Sequence, residues 1–485
     1  MSNIDKLLIE PQAVAAIDAA CIASGITGYA LMRRAGQAVA AAALRRYPGT
    51  RRFAVLCGPG NNGGDGYVAA AALTEAGAEI AVFALAPPAT EDAKHACADA
   101  ACATRPLSAY EPIAGDVVID ALFGAGLARD LSPEVITIIA AVKAAQVPVL
   151  AVDIPSGLCG HSGQARGGAF AAEATVTFVA AKPGLILMPG RALCGEIEIA
   201  DIGVPRRFLE QQAGPVRLNA PDLWAGLLAD KAAAGHKFTH GSLAVFSGSA
   251  MQTGAARLSA SAGLRGGAGL VTMISPADAA PVHAAHLTAV MLKTADSVAD
   301  LEAILDDARL NAVVLGPGFG VGEKARDFAL MVKQRRVVLD ADAITSFRED
   351  AAALFSAFAG EPRLVLTPHD GEFARLFPDL ASDEALSKVD RALAAASRAN
   401  AAVILKGADT VIASPDGRAA INMNAPPWLA TAGSGDVLAG LCGALLARGL
   451  PIYEAACAAV WHHGEAGRRA GRGLTAETLI NFIDV

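Results

Sequence analysis

Two glycine-rich segments carry the residues best suited to chemistry: GPGNNGGDGY at Gly58–Tyr67 and ATAGSGDVLAG at Ala430–Gly440. Each leads into a helix-like run, an order that aims bare backbone N–H groups and a positive helix end at an anion, usually phosphate. Each also carries a carboxylate, Asp65 or Asp436, beside the place that anion would take. Two such segments far apart in one chain imply two nucleotide-handling sites. Asp120 in VVIDALFGAGLARD and Asp153 with Ser156 in VLAVDIPSG stand at the ends of further apolar, strand-like runs. Strand ends line the ligand crevice of open parallel sheets, so these first-half segments converge on one site. Asn62, Asp120 and Ser156 offer hard oxygen donors suited to an alkali or alkaline-earth cation. For any one of these aspartates, a capping or turn role is the competing account.

GPGNNG fits the Gly-x-Gly-x-x-Gly pattern after a strand, which alone is a weak signal. A dinucleotide domain of the usual kind also wants an acid at the end of the next strand. That strand ends Ala84-Leu85-Ala86 here, so an ordinary grip on the ribose is not expected. In the second half no Gly-Lys dipeptide occurs, which excludes a Walker-type phosphate loop. VILKGADT instead supplies Lys406, Gly407 and Thr410, a charge, amides and a hydroxyl. Asp436, in the first turn of its helix, is favoured as an anion and suits polarising a substrate hydroxyl.

The elements that must position these groups alternate along both halves. Alanine-rich helices over Ala13–Tyr47 precede a strand at Phe53–Cys57, a helix at Val68–Ala76 and an extended run at Glu79–Leu85. Short apolar strands follow at Val117–Asp120, Val147–Asp153 and Ala174–Phe178. The second half gives strands at Ser242–Ser247, Ala312–Leu315, Val337–Asp340, Leu364–Thr367 and Ala402–Leu405. Helices are expected at Ala255–Arg265, Leu301–Arg309, Lys388–Ala399 and Val437–Ala447. This alternation predicts an α/β chain with parallel sheets covered on both faces. Periodicity lapses over Asp201–Pro221, which marks a junction between domains at residues 1–212 and 222–485.

With 485 residues, 53% apolar and 18% charged, the chain is long enough for two cores and too apolar for disorder. A net charge of −8 argues against a nucleic-acid surface. The start lacks a secretory pattern, and Lys143, Gln146 and Pro148 interrupt the apolar run at Val135–Val152. The expectation is a soluble, cytoplasmic protein whose copies associate. The eight cysteines form no Cys-x-x-Cys pair and read as buried thiols. His236 and His240 have a metal-like spacing, but the glycine and lysine near them disfavour the helix that zinc binding would need. His462 and His463 read as packing or surface residues of a helix.

NNGGDGY, DALFGAG, VDIPSG and the opening GITGYALMRRAGQAVA resemble the NAD(P)H-hydrate epimerase family, also called the YjeF N-terminal domain, over roughly Ile9–Val204. The resemblance implies a Rossmann-like domain that interconverts the epimers of hydrated NADH or NADPH. It implies that Asn61, Asn62, Gly63, Gly64 and Asp65, with Gly124, Ala125, Gly126, Leu127, Ala128, Arg129 and Asp130, hold the substrate. Asp153 would stand at the reactive ring, and Asn62, Asp120 and Ser156 would coordinate potassium.

GSGDVLAG looks like the ribokinase-like superfamily. Together HGSLAVFSGS, LGPGFG, VLDADAIT, LTPHDGEF and LKGADT resemble its ADP-dependent NAD(P)H-hydrate dehydratases, the YjeF C-terminal domain, over roughly Leu223–Val485. That resemblance implies phosphorylation of the ring hydroxyl of the hydrate and loss of phosphate. Ala255, Gly318, His369 and Asp436 would contact the hydrated dinucleotide. Lys406, Gly407, Ala408, Asp409, Thr410 and Gly435 would contact ADP, with Glu372 helping to position magnesium. The sequence departs from the pattern at Pro426, Pro427 and Trp428, bulky residues before the GSGD turn. A small-molecule kinase fused to a nucleotide-binding domain, or a scaffold without turnover, are the competing readings.

Overall fold

Runs of β-branched and aliphatic residues form strands buried on both faces, and alanine-rich segments between them form the covering helices. The computed structural model describes residues 6–228 and 240–485. The chain divides into two compact units, Met1–Arg217 and Leu218–Val485.

The first unit is built on a parallel sheet of seven strands: β1 (Arg52–Cys57), β2 (Ile80–Ala84), β3 (Thr104–Pro106), β4 (Asp116–Ala121), β5 (Val149–Val152), β6 (Ala174–Phe178) and β7 (Glu196–Ala200). Their order is β3-β2-β1-β4-β5-β6-β7, so the winding reverses between β1 and β4. Register pairs Leu56 with Asp120 across that reversal. Alternate residues of β1 feed opposite faces: Phe53, Val55 and Cys57 join one core, Ala54 and Leu56 the other.

One sequence expectation changes here. The helix expected at Val68–Ala76 starts earlier and runs over Asn61–Glu75, inside the glycine-rich segment after β1. Its glycines serve close approach. A Cβ at Gly63 would lie 1.9 Å from the Gly58 carbonyl oxygen, and one at Gly64 would lie 2.5 Å from the Met32 sulfur. Neither fits, so the helix start can press against β1 and its neighbouring helix only with bare backbone.

The second unit holds a sheet with β9 (Ser242–Phe246), β10 (Leu270–Ser275), β11 (Met291–Thr294), β12 (Leu310–Leu315), β13 (Arg336–Leu339), β14 (Leu364–Leu366), β15 (Ala401–Leu405), β16 (Val411–Ala413) and β17 (Ala419–Ile421), while β8 (Val216–Leu218) straddles the unit boundary. The order is β11-β10-β9-β12-β13-β14-β15-β16-β17-β8. Pairing is parallel from β11 through β15, and antiparallel where β16 and β17 are added. The helix Ser434–Ala447 packs on Thr253–Arg265 so closely that a Cβ at Gly440 would lie 2.0 Å from the Ser259 carbonyl oxygen. The helix expected at Leu301–Arg309 runs instead over Val298–Leu305, because Ser297 and Asp300 form a capping box at its start.

All cysteines are free thiols, six of them buried. His236 lies outside the described residues. His283 is buried, with its Nε2 2.7 Å from the Ser247 hydroxyl. No single helix among the described residues is long and apolar enough to cross a membrane.

Candidate functional site

In the first unit the reversal between β1 and β4 opens a cavity of about 770 Å³. Asn61, Asn62 and Asp65 line it, with Gly124, Ala125, Gly126, Leu127, Ala128, Arg129 and Asp153. Val14, Leu31 and Met32 add an apolar wall. Gly63, Gly64 and Asp130 are not part of this lining. Asp120 and Ser156 are fully buried behind it. Ser156 donates from its N–H and Oγ to the two Asp120 oxygens, at 2.7 and 2.6 Å. Its Oγ also accepts from the Phe123 N–H at 2.8 Å, which fixes the loop after β4. Burial pushes Asp120 up to about 6, against these hydrogen bonds.

Asp153 follows β5 in the left-handed region, at φ 65°. That conformation is strained for a non-glycine residue, and it turns the carboxylate back over the strand ends. Lys182, absent from the sequence reading, then decides its state. This almost fully buried lysine donates to Asp153 Oδ1 at 2.5 Å, to Thr177 Oγ1 at 2.9 Å and to the Phe178 carbonyl at 3.2 Å. The Thr177 hydroxyl and the Ala125 N–H also donate to Asp153, at 3.1 and 3.0 Å. Burial raises the carboxyl's pKa, but the Lys182 charge and these donors outweigh it and hold Asp153 below the usual aspartate range. Lys182 lies in AAKPG, a segment without a glycine-loop signature; its one sequence signal is a lysine within an apolar run.

Gly124 makes the convergence possible. A Cβ there would lie 3.0 Å from Asp153 Oδ2 and 3.1 Å from Asn62 Oδ1. The Asn62 amide nitrogen is buried without a hydrogen-bond partner. Asn61 is tied to the rim, its Oδ1 accepting from the Thr90 hydroxyl at 2.6 Å.

In the second unit the carboxyl ends of β12, β13, β14 and β15 deliver Gly318, Asp340, His369 and Lys406 to one end of the sheet. Lys406 Nζ lies 2.9 Å from Asp340 Oδ1 and 3.6 Å from Glu372 Oε2. A Cβ at Gly435 would stand 3.7 Å from that ammonium, so the glycine turn and the lysine face each other. Asp436 follows in the helix, its carbonyl accepting from the Ser259 hydroxyl at 2.8 Å. Burial, with the Asp340 charge, raises the Asp436 carboxyl to about 6 against the pull of Lys406.

Gly318, at φ 61°, brings its backbone against Ala255, whose Cβ would be 3.2 Å from a Cβ at 318. His369 caps the helix Asp370–Leu376: its Nδ1 accepts from the Gly371 N–H at 3.0 Å, while Glu372 accepts from the His369 N–H at 2.9 Å. Both ring nitrogens face the start of that helix, since Nε2 lies 3.5 Å from Glu372 Oε1. In the Lys406–Thr410 turn, Gly407 and Thr410 bond each other through the hydroxyl, and Asp409 pairs with Lys388 at 2.5 Å. Asp409 therefore shapes the turn. His463 is buried, not superficial; its Nε2 lies 2.9 Å from the Ser434 carbonyl and pins the GSGD turn. Trp428 donates its indole N–H to the Gly467 carbonyl at 2.9 Å, which seats the Pro426–Trp428 departure on the helix Ile452–Ala470. A second cavity of about 760 Å³ opens among Asn311, Arg336, Arg363 and Asn400, at the amino ends of these strands, and contains none of the expected residues.

Comparison with known proteins matches residues 28–184 to a family described as YjeF-related protein N-terminus, and residues 243–481 to NAD(P)H-hydrate dehydratase. The bifunctional NAD(P)H-hydrate repair enzyme of Thermofilum pendens is 36% identical, covering 95% of this chain and 92% of its own length. That of Gloeobacter violaceus is 37% identical, covering 97% and 96%. A solved ribokinase-like superfamily protein from Enterococcus faecalis aligns over 56% of this chain and 94% of its own, at 25% identity and TM-score 0.49. With relatives this similar along nearly its whole length, the chain belongs to the family of bifunctional NAD(P)H-hydrate repair enzymes.

Proposed function

We propose that the first unit epimerises the hydrates of NADH and NADPH, and that the second dehydrates one epimer at the expense of ADP or ATP. The observation that carries this reading is the Lys182-clamped Asp153, a charged carboxylate in a largely apolar cavity at the sheet reversal. A base there can take a proton from a group on the hydrated ring. The Asn61–Asp65 helix start and the Gly124–Asp130 loop supply backbone N–H groups for the substrate's phosphates. Asn62, Asp120 and Ser156 present only oxygen donors besides the unpartnered Asn62 amide, a set that fits potassium and would hold it behind the loop. When bound, potassium would supply a fixed positive charge beside these oxygens.

In the second unit, Asp436 is the base that draws the proton from the ring hydroxyl as it attacks the terminal phosphate of the nucleotide. Lys406 neutralises charge on the transferred group, and Gly435 leaves room for it. Phosphate then leaves with the electron push of the ring nitrogen, where water would leave poorly. Magnesium would accompany the phosphates and offset their charge, with Glu372 the carboxylate that would help position it. Ala255, Gly318 and His369 would receive the dinucleotide, and the Lys406–Thr410 turn the adenine nucleotide.

The test is to incubate mixed hydrate epimers with the chain, ADP and magnesium. Full recovery of dihydronicotinamide absorbance with one orthophosphate per turnover is expected. Recovery that stops at one epimer removes the role of the first unit; a stable phosphorylated product makes the second unit a kinase.

A further inference from the structure

Asp65 stands one helical turn beyond Asn62, a spacing that sets both on one face of the helix Asn61–Glu75, and both line the cavity that holds Asp153. Asn62 and Asp153 already meet at Gly124. Asp65 and Asp153 therefore bound the same cavity, in opposite circumstances. Asp153 has the Lys182 ammonium at 2.5 Å. Asp65 is 9% exposed, and among the described residues no hydrogen-bond donor reaches its carboxyl. Asp153 and Asp18, the latter on the helix Pro11–Ala23, face it with negative charge, while Lys182 is committed to Asp153. Asp92 and Arg129 are the other charged groups of the lining. Burial first, then the two neighbouring carboxylates, hold Asp65 well above the usual aspartate range.

Resting on the epimerase reading of this unit, we propose that Asp65 is the proton donor that works against Asp153 across the ring. Water adds to a dihydronicotinamide, an enamine, at the carbon beside the ring nitrogen, so the hydrate carries its hydroxyl there. In the forward step the nitrogen lone pair forms a C=N bond as the C–O bond breaks. The departing oxygen takes the Asp65 proton and leaves as water. The ring is now a planar cation. A water on the other face attacks the same carbon, the C=N electrons return to nitrogen, and Asp153 takes the proton that water sheds. One water leaves and one enters; the proton gained by Asp153 returns to Asp65 through solvent. Inversion in the opposite direction uses the two groups in exchanged roles. A pair of carboxyls driven to opposite protonation states is the arrangement such acid–base work requires.

The experiment follows inversion of one purified epimer by the full chain, without nucleotide, in ¹⁸O-water. The wild type is expected to invert above the uncatalysed background, to gain one ¹⁸O per inverted molecule, and to slow as alkaline pH removes the Asp65 proton. Asp65→Asn is expected to lose inversion by roughly 10²–10⁴-fold, with KM for the hydrate within a few-fold and the alkaline limb gone. Dehydration by the same chain should be kept. Inversion with the original oxygen retained overturns the proposal, as does an Asp65→Asn enzyme with the wild-type rate and alkaline limb. Should that variant not fold, the oxygen label and pH limb of the wild type decide alone. A wild type that inverts nothing removes the epimerase reading itself, and the proposal with it.

Discussion

The two sites are written in similar residues, yet they shift the pKa of their principal aspartates in opposite directions. Each has a glycine-rich helix start, a strand-end carboxylate and a lysine, buried in the first and half-buried in the second. In the first unit the lysine bonds the strand-end aspartate, and Asp153 is held below the usual range. In the second the lysine is bonded to a different carboxylate, Asp340, and Asp436 rises to about 6. The difference is a matter of which oxygen the ammonium reaches first. A direct hydrogen-bonded charge stabilises the anion strongly, whereas a nearby but committed one offsets only part of the burial. The first site thus keeps a persistent anion, and the second a base poised to accept a proton near neutrality.

The sharpest way to break the comparison is Asp436→Ala. Phosphate release should fall by roughly 10³–10⁴-fold while epimerisation is unchanged, read by phosphate assay and by chromatographic separation of epimers. Lys182→Met should cost the first site about 10²-fold in inversion, because Asp153 then climbs back toward protonation. It should also destabilise the first unit by about 3 kcal/mol, since a buried charge loses its partner; a thermal melt checks this.

The pH profiles should separate next. Dehydration depends on ionised Asp436, so its rate should drop about tenfold one unit below a pKa of about 6. Inversion depends on Asp153, whose pKa is lowered, and its acid limb should lie below the usual aspartate range. Between these limits the chain should still interconvert epimers while dehydrating slowly; coincident acid limbs would contradict the contrast. Ser259→Ala is the mildest change. Losing its hydrogen bond to the Asp436 carbonyl should lower stability by about 1 kcal/mol and dehydration only a few-fold.

Strand positions were legible because a period of apolar residues reports burial wherever a sheet is covered on both faces. The strand expected at Phe53–Cys57 is found at Arg52–Cys57, and that at Ala402–Leu405 at Ala401–Leu405. The helix starts were less legible. Asn61 and Ser434 already lie in helices, and in Asn-Asn-Gly-Gly-Asp the glycines permit close packing and need not mark turns. Asp153, Asp120, Ser156 and Asp436 could be singled out from their places beside strand ends and glycines. Lys182, Asp340 and His463 could not, since each gains its meaning from a partner distant in sequence or from a backbone carbonyl.

The order of amino acids by itself determined the alternation of strands and helices, the two halves, and which acids and amides would stand at strand ends. Those are local properties, set by periodicity and backbone sterics. Only the tertiary structure decided which lysine meets which carboxylate, and so which way each aspartate's pKa moves. Burial and a neighbour's charge act through space over a few ångströms, and chain separation carries no information about that distance.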